Sequence, residues 1–162
     1  MAQPSVYIET TIVSYLAARL SRDMIVAAHQ QITHDWWDER RSQFQLVSSP
    51  LVRREATLGN PAAAARRAEL LSDVALLEVT SEATALAREL VARGRLPQKA
   101  EIDATHIAVA ATHRIDYLMT WNCRHIANAE IQGALIRTCD AKGFKLPILC
   151  TPEQLMGVEH DD

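Results

Sequence analysis

Short, mostly apolar runs punctuate the chain: SVYI (5–8), FQLVS (44–48), ALLEV (75–79), DYLM (116–119) and PILC (147–150). Between them lie alanine-rich stretches whose apolar residues recur at helical spacing. Apolar runs of four or five residues, parted by amphipathic helices, predict strands buried on both faces, because crossover helices cover a parallel sheet above and below. The expected fold class is α/β: three layers, with a central, mainly parallel β-sheet flanked by helices.

The punctuation between these runs supports the same reading. Ser49 followed by Pro50 pairs an N-cap with a first-turn proline, and Thr151, Pro152 and Glu153 repeat the pattern near the C-terminus. Gly59, Gly94 and Gly143 are placed to close helices. There is no internal repeat, low-complexity tract or Gly/Ser linker, and the helix-rich stretch 62–93 reads as part of the same core, so residues 1–162 are expected to form a single domain.

Composition narrows the class. With 48% apolar and 23% charged residues the chain is of ordinary globular type, which excludes disordered and fibrous classes. No apolar run approaches the ~20 residues of a membrane span, and the N-terminus lacks the basic and apolar segments of a secretion signal. Cys123, Cys139 and Cys150 are an odd set without C-x-x-C spacing, which argues against a disulfide framework or structural zinc site and makes the cytoplasm the expected location. A net charge of -3 has the wrong sign for a general nucleic-acid coat, so any RNA contact must be local or metal-mediated.

The candidate chemistry lies in acids placed where the core should be. Glu9 ends the first strand, and Thr10 and Thr11 are placed to cap a helix carrying Ile12, Val13, Tyr15 and Leu16. The carboxyl edge of a parallel sheet is where ligands bind; the alternative for Glu9 is a strand-end carboxylate satisfied by backbone donors. Glu55 shares a helix face with Leu51, Val52 and Leu58, and a buried charge needs a cation, a hydrogen-bond network or a shifted pKa. Arg53 and Arg54 are its nearest cations, but they point elsewhere around the helix. Asp103 extends the stripe of Ile107, Ala110 and Ala111 by one turn, whereas Glu101 lies about 200° away around the helix and joins the site only from an unwound entry. Asn122 and His125 fall in the loop TWNCRHI (120–126) at the same edge, His125 being equally readable as a structural residue. Three converging carboxylates require a neutralising cation, and hard oxygen ligands suit Mg²⁺ or Mn²⁺, which can activate water for attack on phosphorus.

YIETT, the acid of VRREA, the acid heading DATHIAVAA and the loop TWNCRHI together resemble the PIN-domain nucleases, particularly the VapC-like toxins of prokaryotic toxin-antitoxin pairs. The resemblance spans nearly the whole chain. It implies a PIN-like fold, magnesium- or manganese-dependent endoribonuclease action, homodimerisation and inhibition by a small antitoxin protein. By position Glu9, Glu55 and Asp103 match the family's first, second and third acids, and Asn122 the polar residue of its loop Thr-x-Asn-x-x-Asp-Phe. Two departures bear on activity. Glu9 stands where Asp is usual, lengthening the arm by one methylene, and His125 replaces the loop's final Asp, weakening a second Mg²⁺ site in favour of one ion or of Mn²⁺.

The resulting expectation is a metal-dependent endoribonuclease in which Glu9, Glu55 and Asp103 hold the ion, Asn122 positions water or phosphate, and His125 orients or ligates. The alternative is a catalytically degenerate PIN-like module that binds RNA or protein. A dinucleotide-binding protein fits worse, because ETTIVS, not a glycine-rich loop, follows the first strand. Trp36 and Trp37 are expected to pack or to form a dimer surface, and the arginine pairs at 40–41, 53–54 and 66–67 are solvated faces, some of which are placed to guide RNA.

Overall fold

The computed structural model of the chain describes residues 2–158. Five parallel strands, β1 (Ser5–Ile8), β2 (Gln45–Ser48), β3 (Ala75–Leu76), β4 (Tyr117–Met119) and β5 (Ile148–Cys150), form one sheet in the order β3-β2-β1-β4-β5. Seven helices flank it: α1 (Thr10–Ala17), α2 (Met24–Glu39), α3 (Pro50–Glu55), α4 (Pro61–Leu71), α5 (Ser81–Arg93), α6 (Glu101–Thr112) and α7 (Ala129–Ala141). Among the described residues no helix is long and apolar enough to cross a membrane.

The apolar runs become strands because they bury both faces: Val6, Tyr7, Ile8, Leu118 and Met119 are fully enclosed. β1 is central, with Val6 paired to Leu46 on one side and to Tyr117 on the other. The chain builds outward through β2 and β3, then returns across β1 to place β4 and β5, so the strand order reverses at β1. Such a reversal opens a crevice at the strands' carboxyl ends.

Some elements depart from the sequence pattern. ALLEV yields only the two-residue β3, since an edge strand needs few ladder bonds and both its residues are exposed. Ser49 caps α3 as expected, but Thr151-Pro152-Glu153 opens only a 3-10 turn, Glu153–Leu155. Gly143 follows α7 at φ +81°, the left-handed closure that glycine favours. Gly94 closes α5 at an ordinary φ of -86°, and its requirement is space, because a Cβ there would collide with the Leu90 carbonyl. Gly59 lies four residues beyond α3 and shapes the following turn. Arg114, not a glycine, supplies the left-handed residue after α6, at φ 59°.

α6 carries the site's scaffold. Apart from Thr105 its residues from Ala104 to Ala111 are all buried, packed against α5 and β4. A helix enclosed on nearly all sides has no polar face, so any polar side chain within it requires a partner inside the protein.

Candidate active site

Two separate hydrogen-bonded strings run to the carboxyl ends of the central strands. The first begins at Glu9, just beyond β1, whose amide donates to Met119 O at 3.3 Å. Glu9 itself caps α1, correcting the expectation that Thr10 and Thr11 would do so. The strand stops one residue early enough for the carboxylate to fold back on the helix start, where anionic charge is favoured. Its Oε2 accepts from Thr11 N (3.0 Å), Thr11 Oγ1 (2.5 Å) and Thr120 Oγ1 (2.7 Å). Oε1 accepts nothing among the described residues, although the residue is only 4% exposed.

From Thr120 the string continues through the loop after β4. Asn122 N donates to Thr120 Oγ1, and Asn122 Oδ1 accepts from the amides of Arg124 and His125. His125 Nδ1 then meets Asp103 Oδ2 at 3.0 Å. Asp103 sits in the first turn of α6 as expected, and the contact leaves its Oδ1 without a partner among the described residues. The loop is fastened from outside by Trp121. Its ring stacks on His29 (centroids 4.0 Å apart) and Tyr15 (6.3 Å), its Nε1 donates to Thr33 Oγ1, and its amide donates to Thr11 Oγ1.

The second string holds Glu55. Oε1 accepts from Thr10 Oγ1 (2.9 Å) and meets His106 Nε2 (2.7 Å). His106 Nδ1 meets Tyr7 Oη at 2.7 Å, and Tyr7 Oη meets Ser49 Oγ at 2.7 Å. Glu55 is therefore balanced by a network. Its expected neighbour Leu58 is 66% exposed and lies past the end of α3, so the buried stripe consists of Leu51 and Val52 alone. The helix ends at Glu55, and the following turn swings Leu58 outward.

Half-burial pushes the Glu55 carboxyl up, but the hydrogen bonds of His106 and the Thr10 hydroxyl, with Arg54 nearby, outweigh it and hold the group below its usual range. Burial pushes the Tyr7 phenol far up, opposed by its bond to Ser49 and reinforced by Glu9 and Glu55, so its hydroxyl keeps its proton. Because the folded pKa of Glu55 lies below its ordinary value of 4.5, the stability it adds is complete above that value and is lost as pH falls through the folded one. The urea midpoint should therefore fall on acidification below pH 4.5, and Glu55→Gln should flatten part of that fall. A Gln variant that keeps the full wild-type slope would contradict this.

Thus Glu9, Glu55, Asp103, Asn122 and His125 all gather at the carboxyl ends of β1, β2 and β4. Glu101 stands apart, exposed at the start of α6, where it lines a groove with Arg54, Ile102 and Thr105. α6 begins at Glu101 without the unwound entry that would turn this acid inward. His106, Thr120 and Tyr7 were not singled out from sequence, and Thr10, Thr11 and Ser49 were read only as helix caps. The one available signal was His106, an imidazole three residues after Asp103 on a stripe that is otherwise apolar.

The carboxylates fit a hard divalent ion in donor chemistry, since each ties one oxygen to protein donors and leaves the other without a partner among the described residues. Among the described residues, however, no three His, Cys, Asp or Glu side chains close into a ligand set.

Similarity to known proteins is found at the level of family and fold. The chain resembles the crystal structure of VapC20 from Mycobacterium tuberculosis, described as a sarcin-ricin loop cleaving toxin. The TM-score is 0.57 and the identity 22%, over 74% of this chain and 91% of that one. VapBC2 from Rickettsia felis, bound to a DNA fragment from its promoter, is similar at TM-score 0.55 and 13% identity, over 91% and 98% of the two chains. No curated protein sequence is significantly similar. The PIN domain family, in contrast, matches residues 6–145, which take in four of the five strands and the seven helices of the described residues. On that match, the chain belongs to the PIN domain family.

Proposed function

We propose that this protein is a divalent-metal-dependent endoribonuclease, a single-domain cytoplasmic enzyme acting as the toxin of a toxin-antitoxin pair. The observation that carries the reading is the pair of hydrogen-bonded strings that bring Glu9, Glu55 and Asp103 to one edge, each with an oxygen that has no hydrogen-bond partner among the described residues. Glu9, Glu55 and Asp103 hold Mg²⁺ or Mn²⁺. Such an ion, when bound, supplies water of lowered pKa and offsets charge on the phosphate. His125 orients Asp103. Asn122, whose Oδ1 is committed to loop amides, keeps its side-chain NH₂ to donate to a phosphate oxygen. VapC20, described as a toxin, lends that role by analogy of fold, and the family resemblance implies a small antitoxin partner and a homodimer.

The arginines divide by what already holds them. Arg66 donates to Ala17 O and Arg67 to Ala56 O, so both serve as helix-end donors. Arg40 and Arg41 lie over Phe44 and Trp37. Arg53, Arg54 and Arg124 are exposed beside the site and are the cations available to an RNA backbone.

The second reading, a PIN-like module that binds RNA or protein without cutting, is favoured by the absence of a closed ligand set among the described residues. Single-stranded RNA incubated with purified protein in Mg²⁺, Mn²⁺ or EDTA separates the two, alongside calorimetric titration with Mn²⁺. The nuclease reading expects cutting with a divalent ion and none in EDTA. Intact RNA in both metals supports the second reading.

A further inference from the structure

The string that ends at Glu55 is built differently from its counterpart at Asp103, and the difference points to a role for its middle member. His106 is 1% exposed and sits in the enclosed stretch of α6, between Thr105 and Ile107. An imidazole there requires partners for both ring nitrogens, and it has them at 2.7 Å each. Tyr7 and Ser49, the next members, are both 0% exposed. The three residues come from separate elements, the central strand β1, the cap of α3 and the buried helix α6, so sheet and helix hydrogen bonds anchor each backbone.

One arrangement of protons satisfies every member. The Ser49 hydroxyl donates to Tyr7 Oη, the Tyr7 hydroxyl donates to His106 Nδ1, and the Nε2–H donates to Glu55 Oε1. The Ser49 oxygen is itself placed by the Val52 amide (3.5 Å), and the Tyr7 ring meets the imidazole edge-on at 66°. A polar string serving stability alone has no need to leave the core. This one runs outward from two fully buried hydroxyls and terminates on a carboxylate whose side chain is 29% exposed.

We propose that His106 is a positioning residue for Glu55: Tyr7 and Ser49 fix the imidazole, whose Nε2 clamps Oε1 and leaves Oε2 as the oxygen offered to a cation. The inference rests on the proposed metal-holding role of Glu55. Partners of this kind, hydrogen-bonded to a ligand from behind, orient it and raise metal affinity without touching the ion.

The test is Mn²⁺ affinity, read by the loss of the free-ion paramagnetic resonance signal in full-length protein, with no RNA present. His106→Leu is expected to weaken binding about 10- to 100-fold. His106→Gln, which retains an N–H donor, should recover part of that loss. In a Glu55→Gln background, His106→Leu should add no further weakening, because its effect passes through the carboxylate. Wild-type affinity in His106→Leu, with binding reduced in Glu55→Gln, overturns the inference and leaves the metal role of Glu55 standing. Unchanged affinity in Glu55→Gln overturns that role and the inference together. Should His106→Leu lack a cooperative melt, Tyr7→Phe decides the matter. It keeps the ring but frees Nδ1, and is expected to weaken binding about tenfold; unchanged affinity in a cooperatively melting Tyr7→Phe refutes the proposal.

Discussion

Asp103→Asn is expected to lower metal-dependent RNA cleavage by more than about 100-fold, the upper end of the cost of losing a ligand's outer partner. The fold should survive, because Asn keeps the shape of Asp and its carbonyl still accepts from His125, which now meets Oδ2 at 3.0 Å. The lost negative charge is the point of the substitution: a neutral amide is a far weaker ligand for a hard cation than a carboxylate. Cleavage rates on single-stranded RNA, with thermal melts of both proteins, check the result. Cutting within a few-fold of wild type would remove Asp103 from the ligand set.

The largest loss of stability is expected at Trp36. Its ring is 0% exposed on α2, its Nε1 donates to Leu155 O at 3.1 Å, and it packs 5.6 Å from Phe44, which in turn meets Tyr117 edge-on. Trp36 thereby ties α2 to the C-terminal 3-10 turn and to the sheet, and its place inside the protein's own core resolves the choice between packing and a dimer surface in favour of packing. Trp36→Ala should cost about 3–5 kcal/mol, from lost burial, the cavity left behind and an orphaned carbonyl. For a chain of this length that corresponds to a fall in Tm of roughly 6–20 °C. Trp37→Ala is the control: that ring is half-buried, with Arg41 lying over it at 4.8 Å, and should cost much less. Equal losses in the two variants would refute this account.

The parallel sheet was legible because strands buried on both faces must be continuously apolar, which no surface element imitates over four residues. The boundaries of β3 and the turn after Thr151 were not, since tertiary pairing decides whether a short signal is extended into a full element. The candidate carboxylates stood out because Glu55 and Asp103 interrupt apolar stripes. His106 interrupts one as well, yet an imidazole at such a place reads as core until its partners are known, and Glu55 is 51 residues away in the chain. Hydroxyls are harder still. Thr120 serves Glu9 from 111 residues away, and no local pattern distinguishes it from any other strand-end threonine. Arg66 and Arg67, which read as solvated, cap helix ends, because free carbonyls there attract whichever donor the fold brings near.

With β1 in the middle of the sheet, its central strand precedes the other four in the chain and is enclosed late. One edge of β1 stays open until residues 117–119 have been made and can pair with it. Pairing over such separations closes slowly, and an open apolar edge invites association with other chains in the meantime. The same event supplies Thr120 to Glu9, so sheet closure and assembly of the acidic site are one step. A polypeptide broken off ahead of Thr120 would therefore lack both the partner strand that closes β1 and the hydroxyl that holds Glu9.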